Sequence, residues 1–194
     1  GLQTGTIARM LNALCREYGS CGVMAVDDEQ VIGKVRFSPD GLARVAPECV
    51  QQDAEALAAF DPDLLPAKAT VLPGGLRIWC LQVVDDARYR GKGIATEMMR
   101  QVIEWARIGG WERISAKAIP TIPPLLDWTG LFSVDAYQRL GFTRVGSEAS
   151  PELLEGVRNM RAGAHGEDVR QQWEAFAHVS AEEAAMLHEM VLEL

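Results

Sequence analysis

Cysteine is scarce: Cys15, Cys21, Cys49 and Cys80 are the only four in 194 residues, and no two stand in a Cys-x-x-Cys arrangement. That spacing offers neither a disulfide framework nor a zinc site, and the four read as reduced thiols of a cytoplasmic protein. No apolar run approaches the roughly 18–20 residues that cross a bilayer, so no membrane partner is expected. The opening residues Gly1-Leu2-Gln3-Thr4 lack the basic-then-apolar pattern of a secretory signal. Aromatic residues make up 7% of the chain, and none interleave with a Lys/Arg run. Nucleic acid is therefore not an expected partner. His165, His178 and His188 have no metal-ligand spacing, so no metal is expected. There is no Gly-x-Ser-x-Gly segment to form a nucleophile elbow.

What is present is ordinary globular stock, 48% hydrophobic and 24% charged, enough for one domain with a core. The net charge of −8 is uneven. Residues 1–38 are neutral, 39–75 carry −4, 76–147 carry +3 and 148–194 carry −7. A basic block inside an acidic chain can still hold a phosphorylated ligand, because fields are local at physiological salt.

Apolar spacing predicts a helix over 5–18 (Ile7, Met10, Leu11, Leu14, Cys15) and a hairpin of Val23–Val26 and Val31–Phe37 around the polar turn Asp27–Gln30. Residues 39–75 carry Pro39, Pro47, Pro62, Pro66 and Pro73 around a helical stretch, Val50 to Phe60, and read as an insertion. Residues 76–84 read as a strand. The clearest helix starts at Ile94 and stops at Gly109-Gly110, with apolar residues at Met98/Met99, Val102/Ile103 and Ala106. Arg113 to Ala118 alternates as a strand does. A proline-broken loop, 119–132, precedes a short helix from Ser133 to Gly141 and a strand from Phe142 to Gly146. The rest reads as acidic helix, with no further strand.

The chemistry sits between strand 76–84 and the helix at Ile94, in Arg88-Tyr89-Arg90-Gly91-Lys92-Gly93. A glycine turn feeding a helix N-terminus points backbone N–H groups at the positive end of the helix dipole, which suits a pyrophosphate. Arg88, Arg90 and Lys92 add countercharge. The plainer reading, a tight turn whose glycines only permit the geometry, stays open on the glycines alone. A Walker A loop fails, since Gly93 follows Gly91-Lys92 and Asp86 stands where its first glycine belongs. A dinucleotide fingerprint fails at Thr96 and at Lys117, where a ribose-binding acid is needed.

The pattern that fits is Arg88-x-x-Gly91-x-Gly93, followed 44 residues beyond Gly93 by Tyr137-Gln138-Arg139-Leu140-Gly141-Phe142. In this order, separated by a helix and a strand, the two motifs resemble those of the GNAT superfamily of acyl-CoA-dependent N-acetyltransferases, over about residues 20–147. The resemblance implies a mixed α/β fold: a largely antiparallel twisted sheet flanked by helices, here with a helical C-terminal extension. The domain would span 1–147 with its insertion at 39–75. The acidic extension 148–194 would pack on the same domain or a partner, and a homodimer stays open.

The resemblance also implies acetyl-CoA as co-substrate and a primary amine as acceptor. Leu81, Gln82 and Val83 match the segment that pairs with the pantetheine arm, and an oxyanion donor is expected near Val83 or Val84. Arg88, Tyr89, Arg90, Gly91, Lys92, Gly93, Ile94 and Ala95 match the pyrophosphate loop. Tyr137 matches the tyrosine that faces the thioester sulfur as general acid. Asp85 and Asp86 lie near the strand end, but neither is assigned as base. The rival class is a GNAT-like module that binds acyl-CoA, or a protein, without turnover. Gly130 stands where the family often has an asparagine. Trp128 and Phe132 suit either an acceptor pocket or plain packing.

Overall fold

The computed structural model describes residues 2–42, 65, 67–72 and 74–194. It opens on helix α1 (Leu2–Tyr18), whose Met10, Ala13, Leu14 and Tyr18 are buried while Cys15 is exposed. Strands β1 (Gly22–Asp27) and β2 (Gln30–Pro39) pair antiparallel. Their turn is tighter than the spacing suggests, for Asp28 and Glu29 alone take positive φ (45° and 67°), the twist that suits two-residue hairpins. The expected helical stretch Val50–Phe60, and most of the 39–75 insertion, lie outside the described residues. Short helix α2 (Lys68–Val71) then leads to β3 (Gly75–Val83).

Two compact units make up the chain, 1–116 with 192–194, and 117–191. In the first, the strands run in the order β1-β2-β3-β4, where β4 is Arg113–Ala118. β3 pairs antiparallel with β2 and parallel with β4, from Gly75↔Arg113 to Ile78↔Ala116. Helix α3 (Ile94–Gly109) makes the crossover and packs across β1, β2 and β3 with Met98, Met99, Val102, Ile103 and Ala106 buried. Burying each larger side chain of that row stabilises the unit by about 1.5–3 kcal/mol. Gly33 lets the helix close on the sheet, because a Cβ there would stand 2.9 Å from the Met98 methyl.

The second unit holds α4 (Pro123–Thr129), α5 (Val134–Arg139), β5 (Thr143–Ala149), α6 (Pro151–Arg161), α7 (Glu167–Glu174), α8 (Ala181–Ala184) and most of β6 (Met186–Glu193). Ile119, Ile122, Leu125, Leu153, Val157, Met160 and Trp173 form its core. The fold is thus mixed α/β, with three of these four strand pairings antiparallel.

Two readings of the sequence need correction. The proline-broken loop contains helix α4, because Pro123 and Pro124 stand at its first positions, where a missing N–H costs nothing. The tail does not stay helical. Met186–Glu193 is a strand paired antiparallel with β5, with His188, Met190 and Leu192 buried at period two. Its Met, Leu and Glu are good helix formers, and pairing with β5 overrides that weak preference.

Candidate active site

Among the described residues, the strand that leads into the glycine loop has a second partner strand only as far as Ile78. Arg36 faces Cys80 and Phe37 faces Ile78, so Trp79 is the extra residue of a bulge in β3. The parallel pairing with β4 within this unit reaches no further than Ile78. From Cys80 on, β3 is held through β2, with Lys34 opposite Gln82 and Gly33 opposite Val83. The Val84 N–H donates to the Ile32 carbonyl at 2.9 Å. Because backbone direction alternates along an antiparallel strand, Gln82 also turns toward β2, whereas Leu81 and Val83 turn their N–H and C=O groups to the other edge. Of the two expected oxyanion donors, Val84 is therefore committed to the sheet and Val83 is not.

The loop after β3 is braced by its own acids. The Tyr89 and Arg90 N–H groups both donate to the Asp86 carbonyl, at 2.9 and 3.2 Å, and the Lys92 N–H reaches the Tyr89 carbonyl at 3.4 Å. The Asp86 carboxylate accepts the Arg88 N–H at 2.8 Å and its guanidinium at 2.7 and 3.0 Å. That guanidinium beside it holds the Asp86 carboxyl below the usual carboxylate range. Arg90 donates to Asp85, and the Tyr89 hydroxyl donates to Asp27 at 2.8 Å, tying the loop to the β1–β2 hairpin. Both arginine pairs lie in solvent, where such pairs contribute little and exchange readily.

Gly91 and Gly93 have φ of +68° and +76°, and among the described residues nothing beyond the immediate chain neighbours lies within 4 Å of where a Cβ would stand on either. The space above the turn is open, and only glycine holds that backbone without strain. Gly93 is the N-cap of α3 and no side chain caps the helix. The first amide to find a partner in the helix is that of Glu97, on the Gly93 carbonyl. The amides of Ile94, Ala95 and Thr96 therefore stand at the positive end of the dipole, ahead of the first helical bond. Of the anticipated Arg90–Ala95 amides, those of Arg90 and Lys92 close the loop's own turn, while Gly91, Gly93, Ile94 and Ala95 are not spent that way. Thr96 joins them, a position the motif spacing did not single out.

Tyr137 belongs to the second unit. Ser133 caps α5 by accepting the Ala136 N–H at 3.1 Å, which starts the helix where the sequence indicates. The Tyr137 ring is 2% exposed, edge-on to Phe132 and tilted against Phe142, with centroids 5.2 and 4.9 Å away. Phe132 is thus accounted for by packing. Trp128 lies over Gly156 of α6, so close that a Cβ there would meet its ring at 2.1 Å, and edge-on to His165. Gly130, at the position where an asparagine is common in the family, is the left-handed cap of α4.

Sequence reasoning missed two polar groups of this unit. Lys117 bonds to Glu148 at 2.5 Å and to Glu189 at 3.3 Å. Burial works against its charge, but those two carboxylates outweigh it and hold its pKa above the ordinary 10.5. His188 Nδ1 lies 2.7 Å from the Ser147 hydroxyl. Burial, with a smaller effect from the Arg144 charge, pushes that imidazole below its ordinary 6.5. Both clusters depend on β5–β6 register, which residue spacing does not reveal. Among the described residues no group of three or more His, Cys, Asp or Glu could hold a metal, and no helix is long and apolar enough to cross a membrane.

The architecture is the GNAT fold. Ribosomal-protein-alanine N-acetyltransferase from Brucella melitensis superposes with a TM-score of 0.53 at 15% identity, covering 98% of this chain and 78% of that one. A GNAT family acetyltransferase from Elizabethkingia anophelis with acetyl-CoA bound gives 0.45 at 12% identity, over 93% and 82%. IAA acetyltransferase from Bacillus cereus gives 0.46 at 12%, over 96% and 84%. No curated protein sequence matches the chain. The model of the Acetyltransferase (GNAT) family matches residues 3–142, and the chain belongs to that family.

Proposed function

We propose that the protein is an acyl-CoA-dependent N-acyltransferase that moves the acetyl group of acetyl-CoA to a primary amine by direct attack. The observation that carries this reading is the junction of β3 and α3. There an edge free of β2, at Leu81 and Val83, leads within ten residues to the uncapped amides at Gly93–Thr96. An extended pantetheine arm would pair with that edge as an added strand. The pyrophosphate would take the amides of Gly91 and Gly93–Thr96, with Arg88, Arg90 and Lys92 as countercharge. Acetyl-CoA supplies an activated thioester, and the rest is the work of the chain.

As the amine attacks, charge develops on the carbonyl oxygen, and the Val83 N–H is the donor on the edge away from β2. The departing thiolate resembles free cysteine, with a pKa of ~8.5, and the Tyr137 phenol, at ~10 in water, is its proposed proton donor. A positioned general acid typically contributes about 10²–10⁴-fold. Tyr137 is proposed on its place in the family motif. Neither Asp85 nor Asp86 is assigned as the base: both belong to an exposed loop, and Asp86 has become less basic. The amine must arrive deprotonated; the proton its nitrogen sheds on attack passes to solvent, from which the Tyr137 phenolate is reprotonated.

The test is release of CoA thiol from acetyl-CoA against a panel of polyamines, aminoglycosides, amino acids and peptides. Release stimulated by amines, with the acetylated amine recovered, is expected. A rate indifferent to every amine would contradict the reading.

A further inference from the structure

The sequence gives no reason to pair Cys15 with Cys21, yet the fold brings their sulfurs to 3.0 Å. The approach is built into the backbone. Gly19, at φ +87°, donates its N–H to the Cys15 carbonyl at 2.9 Å and ends α1. Ser20 then clasps Gly22 through its hydroxyl, and the Phe37 N–H fixes the Cys21 carbonyl at 3.0 Å. None of these bonds involves a thiol, so the two sulfurs are held together by groups that oxidation leaves alone. The pair is also asymmetric. Cys15 is exposed, whereas Cys21 is 9% exposed in the cluster of Met10, Leu14, Tyr18 and Leu42.

We propose that Cys15 and Cys21 form a thiol modification site, closed to an intramolecular disulfide by exchange with a low-molecular-weight disulfide. Cys15, the thiol open to solvent, attacks one sulfur of the small disulfide. An S–S bond to Cys15 forms, the original S–S bond breaks, and one small thiol leaves with the Cys15 proton. Cys21 then attacks the Cys15 sulfur, the second small thiol departs, and the Cys21 proton goes with it. Two protein thiols are oxidised and one small disulfide is reduced to two thiols. Burial, and then the shared hydrogen bond with Cys15, push the Cys21 thiol up to about 12, so it stays protonated at rest and acts second. The Arg36 charge works the other way and favours its thiolate once the proton can leave.

The experiment treats the full chain with excess glutathione disulfide, alkylates the remaining thiols and weighs the protein before and after cleavage at arginine and lysine. The expected product is lighter by two hydrogens, has two fewer alkylated thiols, and keeps peptides 10–16 and 17–34 joined until dithiothreitol is added. Cys15→Ser, a change at an exposed position, is expected to abolish that bridge, and Cys21→Ser to stop at a glutathione adduct on Cys15. A stable adduct on wild-type Cys15 with Cys21 still alkylated would overturn the proposal. So would a bridge through Cys49 or Cys80, or no reaction at all.

Discussion

The Val84 N–H donates to the Ile32 carbonyl at 2.9 Å, and that bond decides which amide of the strand end can face a substrate. Backbone direction alternates, so Val83 turns its N–H to the edge away from β2. A proline at Val83 removes that N–H without breaking a bond to β2, and proline is tolerated where the missing donor faces away from the ladder. Val83→Pro is expected to lower kcat by about 10²–10³-fold, the range seen for one oxyanion donor, with the thermal midpoint little changed. Val84→Pro is expected to do the reverse, lowering the midpoint because a sheet bond is lost. Steady-state kinetics beside thermal melts separate the two.

Tyr137→Phe keeps the ring between Phe132 and Phe142 and removes only the hydroxyl. Turnover is expected to fall by about 10²–10⁴-fold, with the affinity for CoA nearly unchanged. An unaltered rate when chemistry limits would assign the proton donor to water or another group.

Gly156 is the point where α6 admits the Trp128 ring, and a Cβ there would stand 2.1 Å from it. Gly156→Ala is expected to cost about 1–3 kcal/mol through overpacking, read from urea unfolding. Trp128→Ala in the same background is expected to recover part of that loss by removing the clash.

His188 resists protonation because it is buried, so its folded pKa lies below the unfolded 6.5. Above about 6.5 both states are neutral there and the residue contributes no pH dependence. As the pH falls from 6.5 toward the folded value, the unfolded chain binds a proton that the folded chain refuses, and stability drops. His188→Gln keeps a polar group for Ser147 and is expected to flatten the stability profile over that acid window. Urea midpoints of both proteins between pH 7 and about 5 check it.

Most of what positions the site was legible in the chain. Met98/Met99, Val102/Ile103 and Ala106 announce α3, Gly109-Gly110 its end, and Gly91 and Gly93 the turn before it. What was hidden depends on pairing at a distance. Strand β6 uses helix-forming Met, Leu and Glu, and strand pairing, as with β5, overrides that preference. The choice of Val83 over Val84 follows from register with β2, which no single segment encodes. The Asp85 and Asp86 carboxylates look like free acids in the sequence, whereas arginines five and two residues on pair with them.

The central claim is that the turn at Gly91–Gly93 and the first amides of α3 hold the phosphates of CoA. Calorimetric titration of CoA into wild type, Gly91→Ala and Gly91→Glu tests it most directly. Any side chain at that positive φ carries strain of about 1–2 kcal/mol, which the alanine variant measures by itself. Beyond that, the glutamate sets a like charge against the phosphates. The account predicts saturable binding to wild type, weaker binding to Gly91→Ala, and a further loss of about tenfold or more in Gly91→Glu that shrinks as salt is raised. Equal affinity in all three proteins would contradict it.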